Sequence, residues 1–364
     1  MAYTTIDNSE LYFQVKTYAG DGNSTQAITL DGEEDMQPDL VWIKNRTDEV
    51  WHVWSDSIAG AGAANDLAPN SDEAAGGGNK ASYGFLSAFG SDGFTVSEGS
   101  SNASMSNQSS KNYVAWCWKA GTAFSNDASA TGIGSIDSSG TVSTTAGFSI
   151  CSYTGSGSAA TVKHGLSTKP NLMIVKNRVT ASKDWQVYSP VDDPTDALAL
   201  NQSDATGDSD VYWNDTAPTS SVFSVKSGAT NTSGASTTGY IFHNVQGFSK
   251  FGSYTGNGNA DGVFVYLGFK PALIIIKRTN GTQWWVLKDN KRSHSNGNNV
   301  NKYIIYPNDD DAEGTDSNHM DLLSNGFKYR DAASAGNASG APYIYMAWAE
   351  QPFVNSNGIP CNAK

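Results

Sequence analysis

Histidines, glycine-rich loops and nucleophile motifs are the features that would carry chemistry, and the sequence contains few of them in usable patterns. The five histidines are His52, His164, His243, His294 and His319, and they show none of the short spacings of zinc hydrolases. Gly256 and Gly258 begin like a dinucleotide-binding loop, but the third glycine and the following amphipathic helix are missing. There is also no Gly-x-Ser-x-Gly elbow and no Walker lysine. We therefore predict no catalytic residue, no cofactor and no enzymatic activity.

Two acidic segments, 204–210 and 308–316, could bind a cation. Carboxylate oxygens are the ligands that Ca²⁺ takes, but neither segment has the spacing of an EF-hand. A solvated acidic loop is the interpretation we favour, and the sequence leaves the metal content open. Paired carboxylates could also hydrolyse a glycan, but their separation depends on the fold.

One signature occurs three times along the chain in the same order, as in a tandem repeat. It opens with an aromatic residue and two spaced glycines, which are Tyr18, Gly20 and Gly22, then Tyr153, Gly155 and Gly157, then Tyr254, Gly256 and Gly258. A short apolar run follows, in which Lys lies six residues after Pro: Pro38 and Lys44, Pro170 and Lys176, Pro271 and Lys277. These glycines are predicted to form turns.

Three further landmarks complete each copy. They are an aromatic strand that begins at Trp51, Trp185 or Trp284, a strand that begins at Gly93, Val222 or Gly326, and an Asn-containing turn (Asn102, Asn231 or Asn337) before a closing strand at Tyr113, Tyr240 or Tyr343. The Asn-x-Ser/Thr triplets are predicted to be turns and not glycan acceptors.

The lysine of each copy has an arginine nearby, Arg46, Arg178 or Arg278. A repeated binding pocket is one interpretation of this pattern. We favour a structural role, in which the cation closes a strand edge or pairs with a nearby carboxylate.

The short apolar runs opened by Pro and the Gly-rich turns predict an all-β fold of three tandem antiparallel β-sandwich or jelly-roll-like repeats. The predicted ranges are 1–119, 147–246 and 247–364, and residues 120–146 form a Ser/Thr/Gly-rich linker. The linker would let the first repeat separate from the second and third repeats, which would pack as a rigid pair.

The tryptophans are predicted to be structural, and exposed rings that stack on sugars are the alternative. Because side chains alternate along a strand, Trp284 and Trp285 should face opposite sides of it.

Composition limits the partners. The net charge of −13 and pI near 4.7 argue against nucleic acid and anionic lipid, and no apolar stretch is long enough for a membrane span. Three cysteines, Cys117, Cys151 and Cys361, are predicted to be small buried thiols, because their number and spacing support neither a disulfide framework nor a zinc site. The start of the chain has no basic or apolar leader, from which we expect assembly in a host cytoplasm.

The opening Met1 to Asp7, the module from Tyr254 through Arg278, and the end 343–352 resemble virion structural proteins of marine tailed bacteriophages. The resemblance implies a tail-fibre-like or other structural role without active-site residues. It also implies location in the virion, release by lysis, and other virion proteins as partners. A homo-oligomer is expected, with a trimer as the arrangement considered, although no coiled-coil heptad is present.

We therefore predict a non-enzymatic tail fibre or tail-associated attachment protein whose first repeat docks to the particle. Loops 59–83, 191–215 and 289–319 would contact a host surface glycan or protein. The alternatives are a capsid decoration or vertex protein and a glycan depolymerase.

Overall fold

The computed structural model describes residues 3–189, 194–292 and 300–361, and these form strands joined by turns and a few single helical turns. The first repeat contains the 3-10 turn Ser9–Leu11, β1 (Phe13–Ala19), β2 (Thr25–Thr29), β3 (Leu40–Asn45), β4 (Val53–Asp56), α1 (Lys80–Tyr83), β5 (Phe85–Gly90), β6 (Gly93–Ser97) and β7 (Asn112–Trp118). The predicted linker contains β8 (Thr122–Asn126), α2 (Ala128–Thr131) and β9 (Ser138–Ser143).

The second repeat contains β10 (Phe148–Thr154), β11 (Ala160–Lys163), β12 (Leu172–Asn177), β13 (Gln186–Tyr188), β14 (Asp196–Ala199), β15 (Gly207–Asp208), α3 (Asp210–Trp213), β16 (Val222–Val225) and β17 (Ser236–Phe242). The third contains β18 (Ser249–Thr255), β19 (Phe264–Tyr266), β20 (Phe269–Arg278), β21 (Val286–Asp289), β22 (Val300–Ile304), β23 (Gly314–Leu323), β24 (Gly326–Tyr329) and β25 (Pro342–Pro352). The predicted all-β class is confirmed.

One strand order occurs in three sheets. It is β1-β7-β3-β4, then β10-β17-β12-β13 within an eight-stranded sheet, then β18-β25-β20-β21. In each case the first strand pairs with the closing strand, which pairs in turn with the Pro-initiated strand, and the ladders are antiparallel. Each repeat adds a second sheet, β2-β6-β5, β11-β16 or β19-β24-β23-β22, as in a sandwich.

The Pro-initiated strands are buried on both faces, which explains their continuous apolar runs. All six residues of β3 are buried. Because side chains alternate along a strand, Val41 and Ile43 enter a core inside the first sandwich, whereas Leu40 and Trp42 enter a second core on the other side of the sheet. β12 divides its side chains between two cores in the same way.

The second core is shared by all three repeats. Trp118, Phe242 and Trp348 occupy the same position of the closing strands, and the Trp348 ring packs edge-on against the other two, with centroids 5.3 and 5.4 Å away. A void of only about 10 Å³ remains at the centre, which is close to the space of one water molecule. The three sheets therefore form one packed body.

The predicted linker is not a flexible tether. β9 pairs along β10, and β8 pairs along β9, so that this segment extends the sheet of the second repeat by two strands. Residue composition favoured a linker, but the unpaired edge of β10 provides a template of backbone hydrogen-bonding groups that does not depend on composition.

The predicted separation of the first repeat is also wrong. Trp54 of the first repeat contacts the rings of Trp185 and Tyr240 in the second, with centroids 5.2 and 5.0 Å away. Phe13 stacks on Trp348 of the third repeat. The first repeat is thus bound to both others. No helix in the described part of the chain is long and apolar enough to cross a membrane.

The strand registers correct one predicted landmark of the second repeat. Tyr18, Tyr153 and Tyr254 face Tyr113, Thr237 and Tyr343, so that the counterpart of Tyr113 is Thr237. Tyr240 instead lies three residues further along the closing strand. Matching by residue type failed here because the second repeat has replaced the ring by a threonine.

Candidate functional site

The repeated lysine is buried and bonded to backbone carbonyl groups, with no carboxylate as its hydrogen-bond partner among the described residues. Lys44 lies on the same face of β3 as Leu40 and Trp42, so that its side chain points away from its own sandwich. Its Nζ donates to Val50 O at 2.9 Å and to Asp310 O of the third repeat at 3.0 Å. The lysine therefore joins two repeats.

The same junction occurs three times and closes a ring. Lys176 of the second repeat donates to Asp72 O of the first at 3.0 Å, and Lys277 of the third donates to Ser203 O of the second at 3.0 Å. Each acceptor lies in a segment that follows the fourth strand of its own repeat, which is β4, β13 or β21. We call the segments 67–72, 198–203 and 305–310 the junction loops.

A ring nitrogen makes a second contact at each junction. His52 Nε2 bonds Asp309 O at 2.9 Å, and Trp185 Nε1 and Trp285 Nε1 donate to Ala68 O and Ala199 O, both at 3.0 Å. His52 Nδ1 accepts from Trp42 Nε1, which leaves the His52 proton on Nε2. The registers of β4, β13 and β21 make these three residues equivalent. The predicted match of Trp51 and Trp284 with Trp185 is therefore wrong by one residue.

Main-chain bonds repeat at the junctions as well. Ala75 N donates to Arg178 O, Thr206 N to Thr279 O and Glu313 N to Arg46 O, at 2.8, 2.8 and 3.0 Å. Each residue with the ring nitrogen also donates its own N–H to an asparagine side chain, and these asparagines are Asn70, Asn201 and Asn308. Each junction thus has one pattern of lysine, ring and backbone contacts.

Burial changes the acidity of the junction groups. It lowers the pKa of Lys44, Lys176 and Lys277 to about 8 in each case, against the opposing effect of nearby aspartates. Burial also holds the pKa of His52 well below its usual value, with the Lys44 charge adding to the effect. These contacts agree with a structural role, and the partner is a neighbouring repeat, which the sequence did not predict.

The nearby arginines do not repeat in the same way. Arg46 forms a bidentate pair with Glu313, and Arg178 pairs with Asp56 at 2.9 Å across another junction. Arg278 instead bonds the Asn280 side chain at the surface. Arg46 and Arg178 lie two residues after the repeated lysine, whereas Arg278 lies only one residue after it. In the third repeat, Thr279 occupies the position equivalent to these two arginines.

The glycine pairs hold the Asn-containing turns. Gly258 N donates to Asn337 O at 2.9 Å, and Asn257 N donates to Asn337 Oδ1 at 2.9 Å. A side chain at Gly256 would overlap with the carbonyl oxygen of Ala338. Asn231 is used in the same way in the second repeat and Asn107, not the predicted Asn102, in the first. These glycines and the buried asparagines therefore serve the fold.

The two acidic segments make different contacts. Carboxylate oxygens of Asp309, Asp310 and Asp311 lie within 4.8 Å of one another, and burial raises the pKa of Asp309. In the other segment, Asp210 pairs with Lys226. The backbone carbonyls of Asp309 and Asp310 are the junction acceptors already described.

Part of each predicted contact loop lies against a neighbouring repeat. Each contains a junction loop, whose carbonyl groups are bonded to the neighbouring repeat, so that this part is an internal contact. Within these loops, residues 191–193 and 293–299, including His294, lie outside the described residues.

An open cleft adjoins the junction of the third repeat with the first. We call this cavity of about 580 Å³ the Trp51 cleft. It is lined by Glu49, Val50, Trp51, Glu73, Gly78, Asn79, Tyr83, Ser104, Met105 and Asp310. All but Asp310 belong to the first repeat, and the sequence signal that could have indicated the loop of the cleft is the run of three glycines at 76–78.

Buried contacts fix the walls of the cleft. Lys80, the first residue of α1, donates its Nζ to His52 O at 3.0 Å, and Met105 N donates to Tyr83 O at 2.9 Å. A side chain at Gly78 would overlap with the Trp51 indole, so that the ring rests directly on the glycine backbone. The strand, the helical turn and the glycine loop are therefore held together.

Several polar groups of the cleft remain unbonded. Across residues 3–189, 194–292 and 300–361, the Glu49 and Glu73 carboxylates have no hydrogen bond or ion pair, and the Trp51 indole nitrogen and Tyr83 hydroxyl have no hydrogen-bonding partner. The Asp310 carboxyl group shares a hydrogen bond with that of Asp309. Two carboxylates and two donors are thus available to a ligand.

The fold and the junctions define a class of all-β protein in which three sandwich-like units close a ring within one chain. The chain belongs to the family described as "Domain of unknown function (DUF7483)", whose model matches residues 8–352. No curated protein and no solved structure matches the chain.

Proposed function

We propose that the protein is a non-enzymatic structural protein of a bacteriophage virion, a tail fibre or tail-associated protein that attaches to a host surface glycan or protein. The observation that carries this proposal is the ring of three equivalent junctions. The repeated polar residues, which would be the first candidates for chemistry, are bonded within the chain. Their contacts join the three repeats into one body, which supports a structural role.

Two further points support a virion role. The segments that resemble virion structural proteins of marine tailed phages include β20 and nearly all of β25, which pair in the core sheet of the third repeat. Rigid scaffolds that carry surface loops are suited to recognition, because the bound conformation is already formed.

Labelling purified virions with an antibody against the chain tests the proposal. Signal at the tail, together with reduced phage adsorption in the presence of excess purified chain, is the expected result. Signal at the head would favour the decoration protein, and no signal on the particle would overturn the virion role. Sedimentation of the purified chain measures whether it forms the expected homo-oligomer and whether that oligomer is a trimer.

A glycan depolymerase remains a second candidate because the Trp51 cleft contains the carboxyl groups of Glu49, Glu73 and Asp310. Hydrolysis needs one such group as acid and another as base or nucleophile. Release of reducing ends from host polysaccharide, lost in Glu73→Gln, would replace the non-enzymatic proposal with this one.

A further inference from the structure

We propose that the Trp51 cleft binds an amino sugar, that is, a pyranose unit that carries a protonated amine. This inference deepens the proposed attachment function and rests on it for the source of the sugar. The ligand chemistry itself follows from the cleft.

The aromatic side chains provide the first part of the argument. The Trp51 ring rests on Gly78, whose positive φ of 72° already disfavours a side chain there. Tyr83 ends α1 beside it. An indole face packs against the apolar C–H face of a pyranose, and its negative π-cloud attracts a cation. An ordered ring in an open cleft therefore favours a flat, partly apolar, cationic ligand.

The charges provide the second part. Glu49, Glu73 and Asp310 line the cleft, and none of them forms an ion pair within the described part of the chain. The lysines that feel their charge are Lys44, near Asp310, and Lys176, near Glu73, and both are buried and donate to backbone carbonyls. Lys111 is paired with Asp48 at 2.7 Å. The cleft therefore attracts a protonated amine and repels a sugar that carries a carboxylate or phosphate.

The size provides the third part. About 580 Å³ is in the range of small-molecule sites, and it exceeds the space of a bare cation. The free Trp51 indole nitrogen and Tyr83 hydroxyl add donors, and the carboxylates are acceptors for sugar hydroxyl groups. A metal ion would use the carboxylates alone and leave the aromatic wall without a role.

The corresponding positions of the other repeats have different surroundings. Asp184 takes the place of Trp51 in the second repeat, and its carboxylate accepts from Asn201 and Gln202. In the third repeat, Trp284 packs edge-on against Tyr306, with ring centroids 4.5 Å apart. Trp284 therefore offers a matched control for Trp51.

Isothermal titration of the purified full chain with a β-1,4-linked glucosamine trisaccharide, at slightly acidic pH, tests the proposal. The same trisaccharide with every amine N-acetylated is the uncharged comparison. We expect the charged trisaccharide to bind more tightly and to weaken with added salt. Trp51→Ala should reduce its affinity by about tenfold, Glu73→Gln by about threefold, and Trp284→Ala by less than twofold.

Equal binding of the two trisaccharides would overturn the assignment of a cationic ligand, and equal loss in Trp51→Ala and Trp284→Ala would overturn the site. Absence of binding to either trisaccharide would overturn the proposal altogether. If Trp51→Ala does not fold, Glu73→Gln decides the outcome, because its side chain is exposed and makes no hydrogen bond or ion pair within the described residues.

The two proposals fail separately. Binding of the glucosamine trisaccharide by a chain that labels no part of the virion would refute the virion role and retain the site. Tail labelling without such binding would do the reverse.

Discussion

Replacing a junction lysine by methionine should change how the stability of the protein depends on pH. Lys176 is buried, and its Nζ donates to Asp72 O across the junction and to Lys183 O within its own repeat. Burial lowers its pKa from 10.5 to about 8. Methionine fills a similar volume but cannot take up a proton, so that Lys176→Met isolates this titration.

The lowered pKa fixes the sign and size of the effect. Below pH 8 the folded and the unfolded chain both hold the proton on Lys176. Between pH 8 and 10.5 the unfolded chain keeps this proton and the folded chain releases it, so that stability rises with pH. One such group contributes about 1.4 kcal/mol per pH unit and about 3 kcal/mol over the whole interval.

Urea unfolding at several pH values between 7 and 10 measures this contribution. The free energy of unfolding of the wild type should rise with pH relative to that of Lys176→Met, by about 1.4 kcal/mol per unit above pH 8. The matched control is Lys169→Met, which replaces an exposed lysine and should leave the slope unchanged. If the free energy of unfolding depends on pH in the same way for the wild type and Lys176→Met, the conclusion that burial lowers the pKa of Lys176 is refuted.

Three further substitutions test the core, the turns and the ion pairs by urea unfolding. Trp54→Ala should lower the free energy of unfolding by about 3–5 kcal/mol because it leaves a cavity in the shared core. Trp284→Ala, at a side chain that is 37% exposed, should lower it by about 1 kcal/mol. Similar losses in the two variants would contradict the shared core. Gly256→Ala should cost about 2 kcal/mol because its Cβ meets a carbonyl oxygen, and Gly207→Ala, with open space around it, should be nearly neutral. Glu313→Gln should cost about 3 kcal/mol because two arginines share that carboxylate, and an unchanged midpoint would show that the pairs are not stabilising.

The sequence predicted the class of fold because its strongest signals are local. Apolar runs opened by Pro and closed by Lys predicted strands buried on both faces, and β3 and β12 are buried throughout. Periodicity could not tell which face packs inside a sandwich and which packs against another repeat, because both faces are apolar. The shared core was missed for that reason, and with it the contact of the first repeat with both others.

The junctions were missed for a related reason. Lys44 follows Leu40 by four residues and therefore shares its face, which could have indicated that the lysine leaves its own sandwich. Its acceptor lies 266 residues away, at Asp310, and a single sequence contains no signal for such a pairing. The Trp51 cleft is built from segments of two repeats, so that its existence depends on the same unpredicted contact.

Placing three units in one chain, instead of assembling three identical subunits, allows each unit to change independently. A homotrimer must accept every substitution at all three of its interfaces at once. Here a histidine stands at one junction and tryptophans at the other two, and a ligand-sized opening lies beside the junction that has the histidine. A chain with three repeats can thus separate the residues that maintain the assembly from those that are free to acquire a new specificity.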